Sequence, residues 1–483
     1  MPDIAFASAK RLADLIAKKK VGCVELLDHY VARVEKYNPT INAIIATDIP
    51  AARKQAKAAD KAIARGESRG PLHGVPMTVK EAFDVKGLPT TWGVPGQRGS
   101  MPTTNALAVD RLTNAGAVIF GKTNVPAWLA DGQSYNEIYG VTKNPWDTSR
   151  TPGGSSGGSA AALASGMTGL ELGSDIASSI RNPSHHCGTF GHKPSYGICP
   201  PRGHTLNGRL AADDINSIGP MARSAADLDI ALAVIAGPDE IDAGAFALAL
   251  PAPRKKRLKD FRIGIMFDDP AAVVEPQVQE VMHALAAFLS KAGVKIDNKA
   301  RPVPMEDAKR VFAQLLRGAT SHRQTDKEFA ENLAKARKLA GDDDSPAARV
   351  LRAQVQHHRD WLAAHEERVR MRWAWHEYFK TYDLLLAPSF PVAAHPHLLN
   401  APPAKRVYTV GGKTYSMLDQ LIWAGYAGVA YQPASAAPAG LTGEGLPVGV
   451  QIIGPYGADR TCIRFARLLE KEYRAFVPPP GYE

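Results

Sequence analysis

Apolar positions near the start of the chain recur at helical spacing: Leu12, Leu15 and Ile16, then Val24, Leu26, Leu27, Tyr30 and Val31. They predict packing helices over residues 6–36, and the alanine-rich, Lys- and Arg-studded stretch 50–65 predicts another. The period then shortens. Val75 to Lys80 reads as a short strand ending on Lys80, and a helix-like Ala106 to Asn114 precedes a strand-like Ala117 to Phe120. Ser159 is placed to cap a helix through Ala160 to Ala164 that stops near Gly166. A helix over Ala225 to Ala236 ends at Gly237-Pro238, and residues 238–260, rich in Pro, Ala and Lys, read as an exposed excursion. Arg262 to Met266 predicts a strand, Pro276 to Ala292 a helix, and Leu384 to Pro388 a buried strand. From about 305 to 380 the chain is helical and highly charged, broken at Gly341 to Pro346, with Trp361, Trp373, Trp375 and Tyr378 near its end. Such a group is more often packing than a ligand box, although it could wall an apolar pocket. Short apolar strands with helices between them imply an α/β layer fold.

Composition narrows the class. The chain has 483 residues, 45% hydrophobic and 22% charged, which is enough for two or three average domains or for one large α/β enzyme. Lys and Arg exceed Asp and Glu by 58 − 48 = 10. Spread over this length, the excess does not make a nucleic-acid groove, and Arg254-Lys255-Lys256-Arg257 reads as a solvated linker. Four scattered cysteines, with no C-x-x-C pair, exclude a disulfide scaffold and fit a reducing cytoplasm. The N-terminus has no apolar h-region and no window nears the roughly 18 apolar residues of a membrane span, so a soluble cytoplasmic protein is expected. His185-His186-Cys187 lacks further ligands at useful spacing; packed or hydrogen-bonded side chains are expected there, with neither metal nor cofactor.

Two motifs invite chemistry and need weighing. Gly116 to Thr123 fits the P-loop pattern G-x-x-x-x-G-K-[ST] and would assign nucleotide binding to Lys122. A P-loop needs a strand before its first glycine and a helix after its threonine, whereas here a helix-like segment precedes Gly116 and Ala117 to Phe120 are themselves strand-like. The second motif, Gly153-Gly154-Ser155-Ser156-Gly157-Gly158-Ser159, can aim a hydroxyl or cradle a ligand, and it satisfies G-x-S-x-G around Ser156. A second serine cluster, Ser178-Ser179, follows Gly173-Ser174-Asp175, with Asp175 and Arg181 placed to brace it as a pair.

Taken together, the serine loop, Gly173-Ser174-Asp175-Ile176, Ser179-Ile180-Arg181, Cys187-Gly188, Lys193-Pro194 and the upstream His73 to Glu81 resemble the amidase signature family. The resemblance runs almost end to end, from Tyr37 to Ala43 through Asn144 to Asp147 to Gly445 to Ile452, and is weakest between 300 and 380. It implies a single catalytic domain over 1–483 built on one large mixed β-sheet flanked by helices, with a catalytic core segment over 61–235 and a variable helical insertion over 300–380. It also implies a Ser, cis-Ser, Lys triad with Ser179 as nucleophile, Ser155 as the bridging serine after a cis peptide, and Lys80 as the base. The backbone N–H groups of Ile176, Ala177, Ser178 and Ser179 would form the oxyanion hole, and Ser156 would support the network by hydrogen bonding. Two departures stand out: Ala177-Ser178 where the family commonly has Gly-Gly, and Ala127 where it often has Glu, a change expected to reshape the substrate entrance.

Lys80 can act as a base only when neutral, so its pKa must fall well below about 10.4, and Glu81 must point to the other face of its strand. The expected function is a stand-alone serine amidohydrolase acting with water on anilides, fatty amides, other small amides or carbamates. Substrate choice is expected to lie in 305–380, the loop from Trp128 to Tyr139, and residues near Trp423. The rivals are the first component of a glutamine-dependent tRNA amidotransferase, its amidase-like subunit, and an α/β-hydrolase-type esterase using Ser156. The expected partner is the small-molecule substrate, not nucleic acid, and a homodimer is left open.

Overall fold

The computed structural model describes residues 4–206, 208–402 and 405–483. Among them, the opening helical pattern forms helices over Ala9–Ala17 and Cys23–Ile41, with Leu12, Ile16, Leu26, Leu27 and Tyr30 turned into the core. The second helix runs past the predicted boundary because it carries Pro39 in its last turn and closes on Asn42 in a left-handed conformation.

An eight-stranded mixed sheet organises the molecule. Its order is Lys295–Asp297, Arg262–Ile265, Leu384–Pro388, Pro447–Ile453, Ala434–Leu441, Phe190–Lys193, Ser217–Ala222 and Glu171–Asp175. The first three run parallel and every later pairing is antiparallel. Val448 and Gly449 are neighbours on one strand, so their side chains take opposite faces. Gly440 lies opposite Val448, and a Cβ there would meet Val281 at 2.5 Å; a Cβ at Gly449 would meet His185 at 3.2 Å. The helices Pro276–Lys291 and Arg181–Cys187 therefore cover opposite faces.

A separate three-stranded sheet, in the order Ile44–Thr47, Val118–Thr123, Pro76–Lys80, carries Lys80 at the end of its edge strand. It is tied to the large sheet where Gly169 donates to the Pro76 carbonyl at 3.1 Å and Thr78 N–H to Thr168 Oγ1 at 3.0 Å. The P-loop look-alike is split between elements: Leu107–Asn114 is a helix, and Val118–Thr123 is the central strand of this sheet.

Between 305 and 378 stand four helices, Met305–Thr320, Asp326–Ala336, Pro346–Gln354 and His358–Tyr378, with the predicted break falling before the third. Residues 239–249 form an exposed excursion, with Ile241 and Phe246 open to solvent. No helix among the described residues is long and apolar enough to cross a membrane, and all four cysteines are buried free thiols.

The aromatic group near the end of the helical region divides by burial. Trp375 is fully buried, with ring centroids 5.3 Å from Tyr426 and 5.5 Å from Phe379, while Trp373 is 64% exposed. None of Trp361, Trp373, Trp375 and Tyr378 lines the cavity over Ser179. Trp375→Ala should cost about 3–5 kcal/mol of stability, and Trp373→Ala no more than about 0.5 kcal/mol, read from the shift in urea midpoint at unchanged slope.

Candidate active site

Three segments converge. Lys80 ends its strand; the Gly153 to Ser156 loop precedes the helix Gly157–Ala164; and a loop over residues 176–180 joins the strand Glu171–Asp175 to the helix Arg181–Cys187. The serine loop is pressed so tightly that a Cβ on Gly154 would lie 2.5 Å from the Asp131 carbonyl. Ser159 does not cap its helix. The helix begins two residues earlier, with Ser156 at the cap position, and Ser159 sits inside it, its hydroxyl 2.9 Å from Thr123 Oγ1. Tertiary packing against the small sheet has overridden the local capping preference.

Lys80 is wholly buried, and its Nζ lies 2.6 Å from Ser155 Oγ, 2.9 Å from Ser174 Oγ and 3.3 Å from the Ser174 carbonyl. The Gly154–Ser155 peptide is cis. Burial, the largest influence, pushes the Lys80 amine down to about 7; Asp175 and Glu171 pull the other way and Arg323 adds to the fall. Glu171 itself is pushed up to about 8 by burial, opposed by hydrogen bonds from Thr78 and Ser159, so it is mostly uncharged at neutral pH and opposes that fall little. Glu81 points away, its carboxylate accepting from Thr91 N–H at 2.5 Å, Thr91 Oγ1 at 2.8 Å and Trp92 N–H at 2.9 Å.

Asp175 shapes the loop that carries Ser179. Its carboxylate accepts from the N–H groups of Ser178, Ile180 and Arg181 at 2.8–3.3 Å and from the Arg181 guanidinium at 2.7 and 2.9 Å, the pair being wholly buried. Burial works to raise its pKa, but Arg181 and these donors hold it well below the usual carboxylate range. Arg181 reaches onward to Gln451 Oε1 at 2.6 Å and the Ala424 carbonyl at 2.7 Å, anchoring the loop to the large sheet.

The proposed oxyanion donors separate here. Ser178 N–H is committed to Asp175, so it is not free to meet a substrate, whereas the N–H groups of Ile176, Ala177 and Ser179 have no hydrogen-bond partner among the described residues. Of the two residues that replace the family's glycines, Ser178 takes φ +105° and Ala177 does not enter the positive-φ region. Ser179 is 6% exposed and faces the cavity. Its carbonyl accepts from Ser156 N–H at 3.1 Å, which ties the two serine segments together, and its hydroxyl is not hydrogen-bonded to Ser155.

Ser156 is wholly buried, its hydroxyl donating at 3.4 Å to the Ser174 carbonyl, and it does not line the cavity. No histidine among the described residues bonds to it, which leaves an elbow nucleophile there without a base. A Ser–His–Asp chain does exist elsewhere: Ser435 Oγ lies 2.9 Å from His192 Nδ1, and His192 Nε2 lies 3.1 Å from Asp459 Oδ1. All three are buried and none lines the Ser179 cavity, so this chain braces the interior.

The cavity over Ser179 measures about 610 Å³, within the range of small-molecule sites. Its walls are the Ser179 loop, the segment from Trp128 to Gln133, the helices Met305–Thr320 and Asp326–Ala336, and Phe390, Arg406 and Leu421. The helical region and the Trp128 loop thus line it as expected. Trp423 is buried and does not, nor does Ala127, although its neighbours Trp128 and Leu129 do. Lys122 is buried in its strand, donating to the Pro89 carbonyl at 2.5 Å and Thr90 Oγ1 at 2.8 Å, with no loop around it to cradle phosphate. His185 bonds to the backbone of Gly449 and Val392, and the described residues hold no group of three metal-ligating side chains. Ser174, the second hydroxyl on Lys80, is the contact that sequence reasoning missed; its place beside Asp175 in the motif was visible, but the docking of two sheets was not.

Comparison with known proteins agrees with this geometry. Residues 25–463 match the family model described as Amidase. The chain is 30% identical to the amidase-like subunit of the glutamyl-tRNA(Gln) amidotransferase of Synechococcus sp. (strain CC9605), over 95% of each chain. It is 31% identical to an acylamidase of Rhodococcus erythropolis, over 97% of this chain and 96% of that one. Among solved structures, 6-aminohexanoate cyclic dimer hydrolase superposes with a TM-score of 0.80 at 26% identity, covering 99% of both chains. With a family model spanning most of its length and the large mixed sheet in place, the chain belongs to the amidase signature family.

Proposed function

We propose that this protein is a stand-alone amidohydrolase that cleaves carboxamides through an acyl-enzyme on Ser179, with Ser155 and Lys80 as proton relay. The observation that carries this reading is the 2.6 Å contact between a wholly buried, uncharged-leaning Lys80 amine and the Ser155 hydroxyl, behind the cavity that Ser179 faces. In the proposed sequence the substrate carbonyl seats over the free N–H groups of Ile176, Ala177 and Ser179. Ser179 Oγ turns toward Ser155, gives up its proton as it attacks, and Ser155 passes its own proton to Lys80. The same relay, run in reverse, protonates the departing amine, and water then releases the acid. Anilides, fatty amides and other small amides all present the required carbonyl, as do carbamates. In this reading the whole chain acts as one catalytic unit in the cytoplasm, the core over 61–235 supplies the chemistry, and the region 300–380 shapes the pocket.

The likeness to the amidotransferase component favours a second reading, in which the chain needs partner proteins for activity. Assaying the purified chain alone on 4-nitroanilides separates the two: turnover supports the stand-alone enzyme, and inertness without partners supports the amidotransferase component.

Removing either end of the relay should be severe. Ser179→Ala and Lys80→Ala should each lower kcat/KM by on the order of a thousandfold or more, measured on a panel of anilides, primary amides, esters and carbamates. Ser156→Ala should be much milder, and equal loss there would favour the esterase reading. Because Lys80 works when neutral and burial lowers its pKa to about 7, kcat/KM should rise about tenfold per unit below pH 7 and level off above it. A flat profile between pH 6 and 8 would remove Lys80 from the relay. Ser178 holds φ +105°, a conformation that a Cβ disfavours, so Ser178→Gly should raise stability by up to about 1 kcal/mol in urea unfolding, where an ordinary buried Ser→Gly change would lower it.

A further inference from the structure

One cation on the cavity wall has nothing to neutralise it. Arg317, on the helix Met305–Thr320, is half-buried, and its guanidinium makes no hydrogen bond or ion pair with any described residue. The other arginines of this cavity are committed. Arg323 donates to Asp213 at 2.9 Å and to the Trp128 carbonyl at 2.8 Å, and Arg406 donates to both oxygens of Asp131 at 2.5 and 2.6 Å. The carboxylates are committed as well: Asp131 to Arg406, and Glu328 to the capping of its own helix through Thr325. Lys335 and Glu331 are exposed at the rim and offset one another. A lone guanidinium drawn out of water is costly unless something anionic meets it there. Burial alone pushes the Arg317 pKa down, and no charged neighbour is close enough to oppose it.

Position adds to charge. Arg317 also lines a second cavity of about 700 Å³, which meets the first along Leu316, Arg317, Leu418 and Leu421 and does not include Ser179. The guanidinium therefore stands at the end of the Ser179 cavity that opens away from the reacting carbonyl, among apolar side chains. A ligand reaching from Ser179 to Arg317 would cross leucine and end on a fork of N–H donors suited to a carboxylate.

We propose that Arg317 is a specificity-determining residue that selects amides bearing a carboxylate remote from the scissile bond and joined to it by an apolar linker. The substrate class is then the monoamides of dicarboxylic acids and related acidic amides. This rests on the reading of Ser179 as the acylated residue.

The test compares mono-4-nitroanilides of C4, C6 and C8 dicarboxylic acids with alkanoyl 4-nitroanilides of the same lengths. At least one acid should have a kcat/KM tenfold or more above its neutral counterpart, mainly through KM, and Arg317→Gln should bring that ratio to about one. Equal values for acid and neutral substrates in the native protein, or a loss of the same factor on both in Arg317→Gln, would overturn the proposal. Calorimetry of the same compounds on Ser179→Ala, with and without Arg317→Gln, isolates recognition from chemistry. Preference for the acid that disappears with Arg317 supports the proposal even if no compound is turned over, in which case the hydrolase reading is what fails; absence of that preference sinks the proposal whether or not turnover is seen.

Discussion

The site turns on an amine kept out of water without a carboxylate paired to it. Lysine ordinarily keeps its charge at neutral pH, and any close anion would reinforce it. Here burial is the largest influence, the adjacent Glu81 is taken up by Thr91 and Trp92 on the opposite face, and Glu171 is itself drawn toward its uncharged form. What remains around Lys80 Nζ is a set of hydroxyl and carbonyl groups from Ser155 and Ser174, which can exchange a proton with the amine without pinning it. A single well-placed carboxylate would undo this, so the arrangement of neighbours matters as much as the lysine.

Asp175 plays the complementary part. It is the anion nearest to the relay in sequence, yet its charge is absorbed by Arg181 and three backbone N–H groups. In consuming those donors it fixes the path of the loop on which Ser179 sits, and it also determines which N–H groups remain free. Ser178 loses its hydrogen to Asp175 and is left with an unusual φ, while Ile176, Ala177 and Ser179 keep theirs. The serine that replaces glycine is thus accommodated by a strong local anchor.

Much of this was legible in the chain because motifs are local. The strand ending on Lys80, the serine loop, the Asp175–Arg181 brace and the opposite facing of Glu81 all follow from short-range spacing and the two-residue period of a strand. What escaped depends on long-range docking. Ser174 meets Lys80 only because an edge strand of one sheet lies against another, and Ser159 leaves its capping role because Thr123 is there to receive it. The strand Ile44–Thr47 escaped because four residues after a long helix carry too little pattern to mark a change of period. Arg317 was hidden among the many charges of a helical region; its distinction lies in what its neighbours do not offer, which no local pattern records.

Lys80 comes from the small sheet and both serines from segments packed between the two sheets. The relay is therefore a property of a junction, created when two separately formed layers close on each other. A chain in which the large layer had formed but the small one had not would hold its attacking alcohol with no acceptor for the proton, and would be chemically silent until the last layer came home.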